Sequence, residues 1–258
     1  MSFSADWLAL RAEADRRARN PGLAERLSAH FAGREGLCVL DLGAGTGAMP
    51  AATAPLLGPG QNWRLIDSDA TLLARVELPD GIPVERTVAD LAVDMAPLFR
   101  PAPDLITCSA FLDLCGAGWL DRLVTHAAAA GAAVYAVLGY DGREDWSPPH
   151  PLDADVLAAF HADQHRDKGL GPALGPEAAI YLATALRAGG FEVLTAQSDW
   201  HLATPTDAAL IAGLARGNAE AVTPALGPRA AEWGESRAAA TAVRIGHVDL
   251  LALPPPRP

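Results

Sequence analysis

The sequence is poor in cysteine and contains no long apolar segment. Only three of the 258 residues are cysteines, and none of them forms a C-x-x-C pair. Cys38, Cys108 and Cys115 lie in or beside apolar, strand-like sequence, which favours buried, inert thiols over a metal or redox site. The longest apolar run, residues 127–138, is too short to cross a bilayer. The N-terminal segment contains no apolar signal core, so we expect a cytoplasmic protein with no membrane partner.

Positive charge is also scarce. Twenty lysines and arginines stand against 31 aspartates and glutamates, which gives a formal net charge of −11. A nucleic-acid partner would require a basic surface to bind phosphates, so this balance argues against one. Apolar residues make up 50% of the chain and charged residues 20%, which is typical of a globular protein. The length suits one domain, residues 1–258.

The most informative segment is residues 39–50, VLDLGAGTGAMP. A short apolar strand ends beside Asp41, and three glycines follow at alternate positions, Gly43, Gly45 and Gly47. Glycine allows the backbone to turn tightly and to pass close to a ligand. The helix expected after the loop offers unpaired N–H groups. The pattern therefore predicts a nucleotide-type binding loop at the carboxyl end of a strand in a parallel sheet.

Two classes of nucleotide ligand compete for this loop. The dinucleotide fingerprint is G-x-G-x-x-G, and Ala48 can serve as its third small residue. Asp41 favours the other class, because a carboxylate repels a pyrophosphate and attracts a ligand with a free amine. An NAD(P)-dependent oxidoreductase remains the alternative.

The segment resembles motif I of the class I S-adenosylmethionine-dependent methyltransferases, whose ligand carries an ammonium and a sulfonium. This resemblance implies an α/β three-layer sandwich with a seven-stranded, mostly parallel sheet. The last strand of that sheet is antiparallel and lies next to the edge, and a helical cap is built from the N-terminus and from insertions. The cofactor implied is S-adenosyl-L-methionine.

The alternation of strand and helix patterns independently indicates right-handed βαβ crossovers and a mostly parallel sheet. Strands are predicted at 37–41, 62–67, 83–89, 103–109, 132–138, 191–199 and 242–253. Helices are predicted at 6–19, 21–32, 47–57, 70–77, 91–99, 117–129, 153–164, 177–188 and 206–240, the last interrupted by Pro224 and Pro228. The expected organisation is an N-terminal helical cap (1–36), a cofactor-binding core (37–139), two substrate-cover insertions (140–176 and 204–240) and the final strands (191–199 and 242–253).

The resemblance also assigns cofactor-binding residues beyond the glycine loop. Asp67 ends the second strand and is expected to bind the ribose diol, whereas Asp69 is better explained as a helix N-cap. Asp90 and Leu91 follow the third strand and are expected to hold the adenine, with capping of the next helix as the alternative role of Asp90. The backbone carbonyl of Ser109 is expected to meet the methionine amine. The full predicted set is Asp41, Gly43, Ala44, Gly45, Asp67, Ser68, Asp90, Leu91 and Ser109.

The residues that follow the fourth strand indicate the type of reaction. Residues 109–112 read Ser-Ala-Phe-Leu, where amino-methylating members of the family have a D/N-P-P-Y/F tetrad. We therefore expect a small-molecule methyltransferase, and O-methylation of a hydroxyl or carboxyl in particular. A methyltransferase acting on protein or RNA and a non-catalytic S-adenosylmethionine-binding protein remain alternatives.

Candidate residues for the acceptor lie mainly in residues 139–171, because long irregular segments in compact domains tend to be functional. The predicted substrate-binding residues are Tyr140, Trp146, His165 and Lys168, the candidate general base is Asp113, and Arg16, Arg17 and Arg19 are further candidates for contact with an anion. His161 and His165 are four residues apart, but no third ligand accompanies them, so no metal is expected.

Overall fold

A computed structural model describes residues 4–79, 81–93 and 95–256. The helices are α1 (Ala5–Ala18), α2 (Pro21–His30), α3 (Ala48–Thr53), α4 (Ala70–Leu73), α5 (Ala117–Ala130), α6 (Asp153–Gln164), α7 (Ala178–Ala188), α8 (Ala208–Leu226) and α9 (Pro228–Arg237). The strands are β1 (Cys38–Leu42), β2 (Asn62–Asp67), β3 (Val84–Val88), β4 (Leu105–Ser109), β5 (Ala133–Ser147), β6 (Glu192–Gln197), β7 (Trp200–Ala203) and β8 (Ala242–Leu253).

The sheet has the strand order β3-β2-β1-β4-β5-β8-β6. The first five strands in this order pair in parallel, and β8 pairs antiparallel with both β5 and β6. The predicted seven-strand sheet, with its antiparallel last strand next to the edge, is therefore confirmed. The sequence did not predict the short strand β7, which pairs with the first half of β8.

Residues on neighbouring positions of a strand face opposite sides of the sheet, and this alternation produces the three layers. Leu40 and Val134 belong to a core shared with α5 and α7, whereas Val39 and Tyr135 belong to a core on the other face with α2 and α3. A third core joins the far half of β5 to α1, α6, α8 and α9, and Trp233 is among its fully buried side chains.

Strand β5 is the largest departure from the predicted elements. It was expected to end at residue 138, but it continues to Ser147 with two irregularities in its pairing to β8. Residues 140–147 therefore belong to the sheet and are not irregular cover. The long β8 supplies the reason, because its first half would otherwise lack a hydrogen-bonding partner on that side.

Two predicted helices are shorter than expected. Helix α4 ends at Leu73 instead of continuing to residue 77, and the Arg86 guanidinium of β3 donates to the carbonyls of Leu73 and Val76. The helix predicted over 91–99 is reduced to a 3-10 turn, Ala96–Phe99. A proline within that turn lacks the N–H that a helix needs.

Pro224 does not interrupt the helix in which it lies. It lies within the last turn of α8, and although it has no N–H to donate to the carbonyl four residues earlier, the helix continues to Leu226. The break comes instead at Gly227, which has a positive φ of 56°, and Pro228 then begins α9.

The three cysteines are free thiols. Cys108 and Cys115 are buried, and burial raises the pKa of both thiols, so they are inert as nucleophiles. Cys38 is partly exposed. Among the described residues, no α-helix is both long enough and apolar enough to cross a membrane.

Candidate functional site

The glycine loop follows β1 directly and turns back onto β2. Gly43, Gly45 and Gly47 all have positive φ values, 67°, 53° and 87°. A Cβ on Gly43 would lie 2.8 Å from the Phe111 ring, and one on Gly47 would lie 2.6 Å from Val76 Cγ1. At these positions both the backbone conformation and the space therefore require glycine.

The carboxylate of Asp67 ties the loop to the end of β2. Its Oδ2 accepts a hydrogen bond from the Gly45 amide at 2.8 Å, and its Oδ1 accepts one from the Asp69 amide at 2.9 Å. A carboxylate has about four acceptor positions, so Asp67 retains capacity for a ligand. Asp69 forms the N-cap of α4 and accepts from the Thr71 and Leu72 amides, the role that the sequence predicted for it.

A cavity of about 410 Å³ opens at the carboxyl ends of β1, β2 and β4, a size typical of small-ligand sites. Eight of the nine predicted cofactor residues line it, namely Gly43, Ala44, Gly45, Asp67, Ser68, Asp90, Leu91 and Ser109. The structure therefore brings together residues from four separate strand ends. Asp90 also accepts from the Ala92 amide at 2.9 Å, so it caps a turn as well as facing the cavity.

Asp41 is the predicted cofactor residue that does not line the cavity. It is fully buried, and its Oδ1 accepts a hydrogen bond from the Thr107 hydroxyl of β4 at 2.6 Å. Its Oδ2 has no hydrogen-bond partner among the described residues. Burial raises the pKa of this carboxyl to about 7, although the bond from Thr107 opposes the change.

The turn after β4 places an aromatic ring against the glycine loop. Phe111 lines the cavity, lies against Gly43 and makes an edge contact with Trp119 at a centroid distance of 5.4 Å. Asp113, the predicted base, lies in the following 3-10 turn and is not among the lining residues. Burial raises the pKa of its carboxyl, and the positive charges of Arg11 and Lys168 offset part of that rise.

Helix α1 contributes a cavity residue that the sequence analysis missed. Leu8 lies against Gly45, and Arg11, one turn later, lines the cavity. The Arg11 guanidinium pairs with Asp15 at 3.0 Å and stacks on Trp200 at 4.8 Å from its ring centroid. Trp200 in turn donates to Asp15 at 3.1 Å. The position of Arg11 therefore depends on β7, which the sequence pattern did not reveal.

The three arginines that the sequence suggested for an anion lie elsewhere. Arg16 pairs with Glu13, Arg17 pairs with Asp207, and Arg19 donates to the Ala48 carbonyl. None of the three is among the residues that line the cavity.

Tyr140 and Trp146 belong to one buried hydrogen-bonded group centred on Glu144. The Glu144 carboxyl accepts from the Tyr140 hydroxyl at 3.0 Å, from Trp146 Nε1 at 3.1 Å and from Asn218 Nδ2 at 3.0 Å. The Tyr140 hydroxyl also lies 3.2 Å from His161 Nε2. Burial raises the pKa of Glu144 and lowers that of His161.

None of the residues in this group is among those that line the cavity. Glu144 and Asn218 were not predicted. The spacing of Tyr140 and Glu144 on an irregular strand gave no periodic signal, because the pairing of β5 with β8 shifts register between them.

The two remaining predicted substrate residues differ sharply in position. Lys168 lines the cavity and pairs with Asp163 at 2.8 Å. His165 is exposed, and its ring bonds to Glu177 at 3.1 Å and to the His161 carbonyl at 2.7 Å. Within the described ranges, no group of three or more His, Cys, Asp or Glu side chains is placed to hold a metal ion.

Solved structures with a similar fold cover almost the whole chain. A cyclopropane synthase from Mycobacterium tuberculosis superposes with a TM-score of 0.54 over 97% of this chain and 94% of that protein, at 13% sequence identity. A cyclopropane-fatty-acyl-phospholipid synthase-like protein from Lactobacillus casei gives 0.52 over 98% and 95%, at 17% identity. A candidate methyltransferase from Bacillus halodurans gives 0.51 over 90% and 99%, at 14% identity.

The chain has the class I methyltransferase fold. No protein-family sequence model matches it, and no curated protein sequence matches it either. At identities of 13 to 17% the likeness concerns the fold. In this methyltransferase fold the cavity lies at the carboxyl ends of the parallel strands, where open α/β sheets place their ligands.

Proposed function

We propose that the chain binds S-adenosyl-L-methionine in this cavity and transfers its methyl group to a small molecule, by O-methylation. The observation that carries the proposal is the hydrogen bond from the Gly45 amide to Asp67, because it holds a glycine-rich loop and a strand-end carboxylate together at the same cavity. The names of the structural neighbours, among them a candidate methyltransferase, support it.

The residues present fit this cofactor. Asp67 and Asp90 offer carboxylate acceptors for the hydroxyl and amino groups of an adenosine, and Leu91 offers an apolar side chain for a ring face. Gly43 and Gly45 allow the side chains of Phe111 and Leu8 to pack against the loop, where a Cβ would lie 2.8 Å and 3.3 Å from them. The buried Asp41 precedes Gly43 by two residues, and in its ionised form it would attract a cationic ligand in the cavity.

When bound, the cofactor supplies an electrophilic methyl group on a sulfonium. The contribution of this chain is to align the acceptor in the cavity, and such alignment can lower a barrier by about 7–11 kcal/mol. Asp113 is the proposed proton acceptor for a hydroxyl substrate. Burial raises the pKa of its carboxyl, and a general base is most effective when its pKa lies near the operating pH.

A small-molecule acceptor fits the cavity volume of about 410 Å³ and the net charge of −11. A polyanionic RNA would meet repulsion from that charge. We propose one methyltransferase domain over residues 1–258, in which α1, α6, α8 and the segment 165–175 surround the acceptor.

Calorimetry with S-adenosylhomocysteine tests the proposal. We expect the free protein to bind it, and we expect Asp67→Ala to weaken binding by about 10- to 100-fold, because hydrogen bonds to a charged group contribute about 1.5–3 kcal/mol each. Asp69→Asn is the matched control, since it preserves the N-cap and alters a neighbouring carboxylate in the same cavity. Binding of NADH in place of S-adenosylhomocysteine, or equal affinity in Asp67→Ala and wild type, would contradict the proposal.

A further inference from the structure

Lys168 is the only lysine in the chain, whereas nineteen of the basic residues are arginines. Its side chain is only 10% exposed and lines the cavity. A lysine buried to this degree costs free energy unless its charge has a partner. The position of this residue therefore calls for a reason beyond solubility.

The backbone around Lys168 is held in place by the turn that follows β4. The Gly116 amide donates to the Leu170 carbonyl at 3.1 Å, and the Leu174 amide donates to the Cys115 carbonyl at 2.9 Å. These bonds, with two short bridges between the same segments, fix the loop across the cavity. Lys168 is thus presented from a defined backbone.

The ammonium of Lys168 has hydrogen-bonding capacity left. Of its three N–H donors, one is directed to Asp163 at 2.8 Å. Arg166 also bonds to Asp163, at 2.9 Å, so one carboxylate faces two cations. The other charged groups nearby are Arg11, which is already paired with Asp15, and Asp113, whose pKa is raised by burial.

Lys168 lines the cavity together with apolar side chains. Phe111, Leu114 and Leu170 line the cavity with it. Phe111 and Leu114 follow β4, whereas the cavity carboxylates Asp67 and Asp90 follow β2 and β3. Because β1 separates β2 from β4 in the sheet, the cationic, apolar side and the acidic side are distinct.

From this placement we propose that Lys168 binds an anionic group of the methyl acceptor, and that the acceptor is a carboxylate carried on an apolar body. This inference rests on the proposed function, because it requires that the acidic side of the cavity is occupied by the cofactor. An ammonium and apolar side chains that line the same cavity suit a ligand that carries a compact anion on an apolar body.

The experiment uses the full chain saturated with S-adenosylhomocysteine and three carboxylates, benzoate, phenylacetate and octanoate, each compared with its neutral amide. We expect at least one carboxylate to bind about tenfold more tightly than its amide in the wild type. The preference should disappear in Lys168→Met and persist in part in Lys168→Arg. Arg166→Met is the matched control, because it removes the other partner of Asp163 outside the cavity, and it should retain the preference.

Two results would overturn the inference. One is that no carboxylate of the series binds more tightly than its amide. The other is that Lys168→Met weakens S-adenosylhomocysteine but leaves 5′-methylthioadenosine unchanged, since Lys168 would then hold the carboxylate of the cofactor. Normal affinity of Lys168→Met for S-adenosylhomocysteine shows that the variant is folded. Failure of the wild type to bind S-adenosylhomocysteine contradicts the proposed function instead, so the two failures are distinguishable.

Discussion

The two sides of the cavity are built by different means. On the proposed cofactor side, between the glycine loop and the ends of β2 and β3, the polar groups are backbone amides and short carboxylates. On the proposed acceptor side, two distant segments of the chain each contribute a basic side chain that pairs with a carboxylate close to it in sequence, Arg11 with Asp15 and Lys168 with Asp163. The first side is fixed by strand geometry, and the second by side-chain pairing.

Two carboxyls outside the cavity lining, Asp41 in β1 and Glu144 in β5, have pKa values raised by burial, and they differ in how many hydrogen bonds they accept. Asp41 accepts one hydrogen bond and has an oxygen without a partner among the described residues. Glu144 accepts three. The comparison implies that the buried carboxyl of Asp41 lowers the stability of the fold, whereas the hydrogen bonds to Glu144 raise it.

The largest expected effect is on the stability of the fold, and it comes from Asp41. In the folded protein its pKa is about 7, against an ordinary value of 3.8. Below about pH 4 the carboxyl is protonated in both states and has no effect. As pH rises from 4 to 7 the unfolded state loses its proton first, so the fold is progressively destabilised, by about 4 kcal/mol above pH 7.

Asp41→Asn removes this titration, because a carboxamide does not ionise. Its oxygen can still accept the hydrogen bond from the Thr107 hydroxyl. We expect the melting temperature of the variant to exceed that of the wild type by several degrees at pH 8 and by little at pH 4.5. A gain that does not change with pH would show that the charge of Asp41 is not the cause.

A somewhat smaller change in stability, of opposite sign, is expected at Glu144. Glu144→Leu leaves the Tyr140, Trp146 and Asn218 donors without their acceptor in a buried region, so we expect a loss of about 2–3 kcal/mol in the free energy of unfolding. Urea denaturation at pH 7 measures it. His165→Ala, at an exposed site, is the control and should change stability by less than about 0.5 kcal/mol. Equal stability of Glu144→Leu and His165→Ala would mean that the buried group contributes nothing.

The smallest effect is expected from substitutions of two glycines with positive φ. Gly43→Ala and Gly36→Ala both place alanine at a similar φ, 67° and 70°, which costs about 1–2 kcal/mol of stability. Nothing lies within 4 Å of a Cβ at Gly36, whereas one at Gly43 meets the Phe111 ring at 2.8 Å. Only Gly43→Ala should therefore weaken S-adenosylhomocysteine binding, by about tenfold in calorimetry. A similar loss in Gly36→Ala would assign the effect to general stability.

Much of the fold could be predicted because its signals are local. The glycine spacing after β1 and the acids at the strand ends mark positions that a parallel sheet brings to one edge. The predicted Asp67 and Asp90 accordingly face the same cavity as Gly43. Helix lengths were less predictable. Helix α4 ends at Leu73, whose carbonyl accepts a hydrogen bond from Arg86, thirteen residues further along the chain.

The sequence by itself determined the sheet, the loop and the acidic side of the cavity, because each depends on residues close together in the chain or on strand direction. The tertiary structure alone decided the acceptor side. Arg11 reaches the cavity because Trp200 and Asp15 orient it, and Glu144 meets Asn218 because α8 packs on the far half of β5. The hydrogen bonds from Trp200 to Asp15 and from Asn218 to Glu144 join residues 74 or more positions apart, and no spacing along a single element encodes such packing.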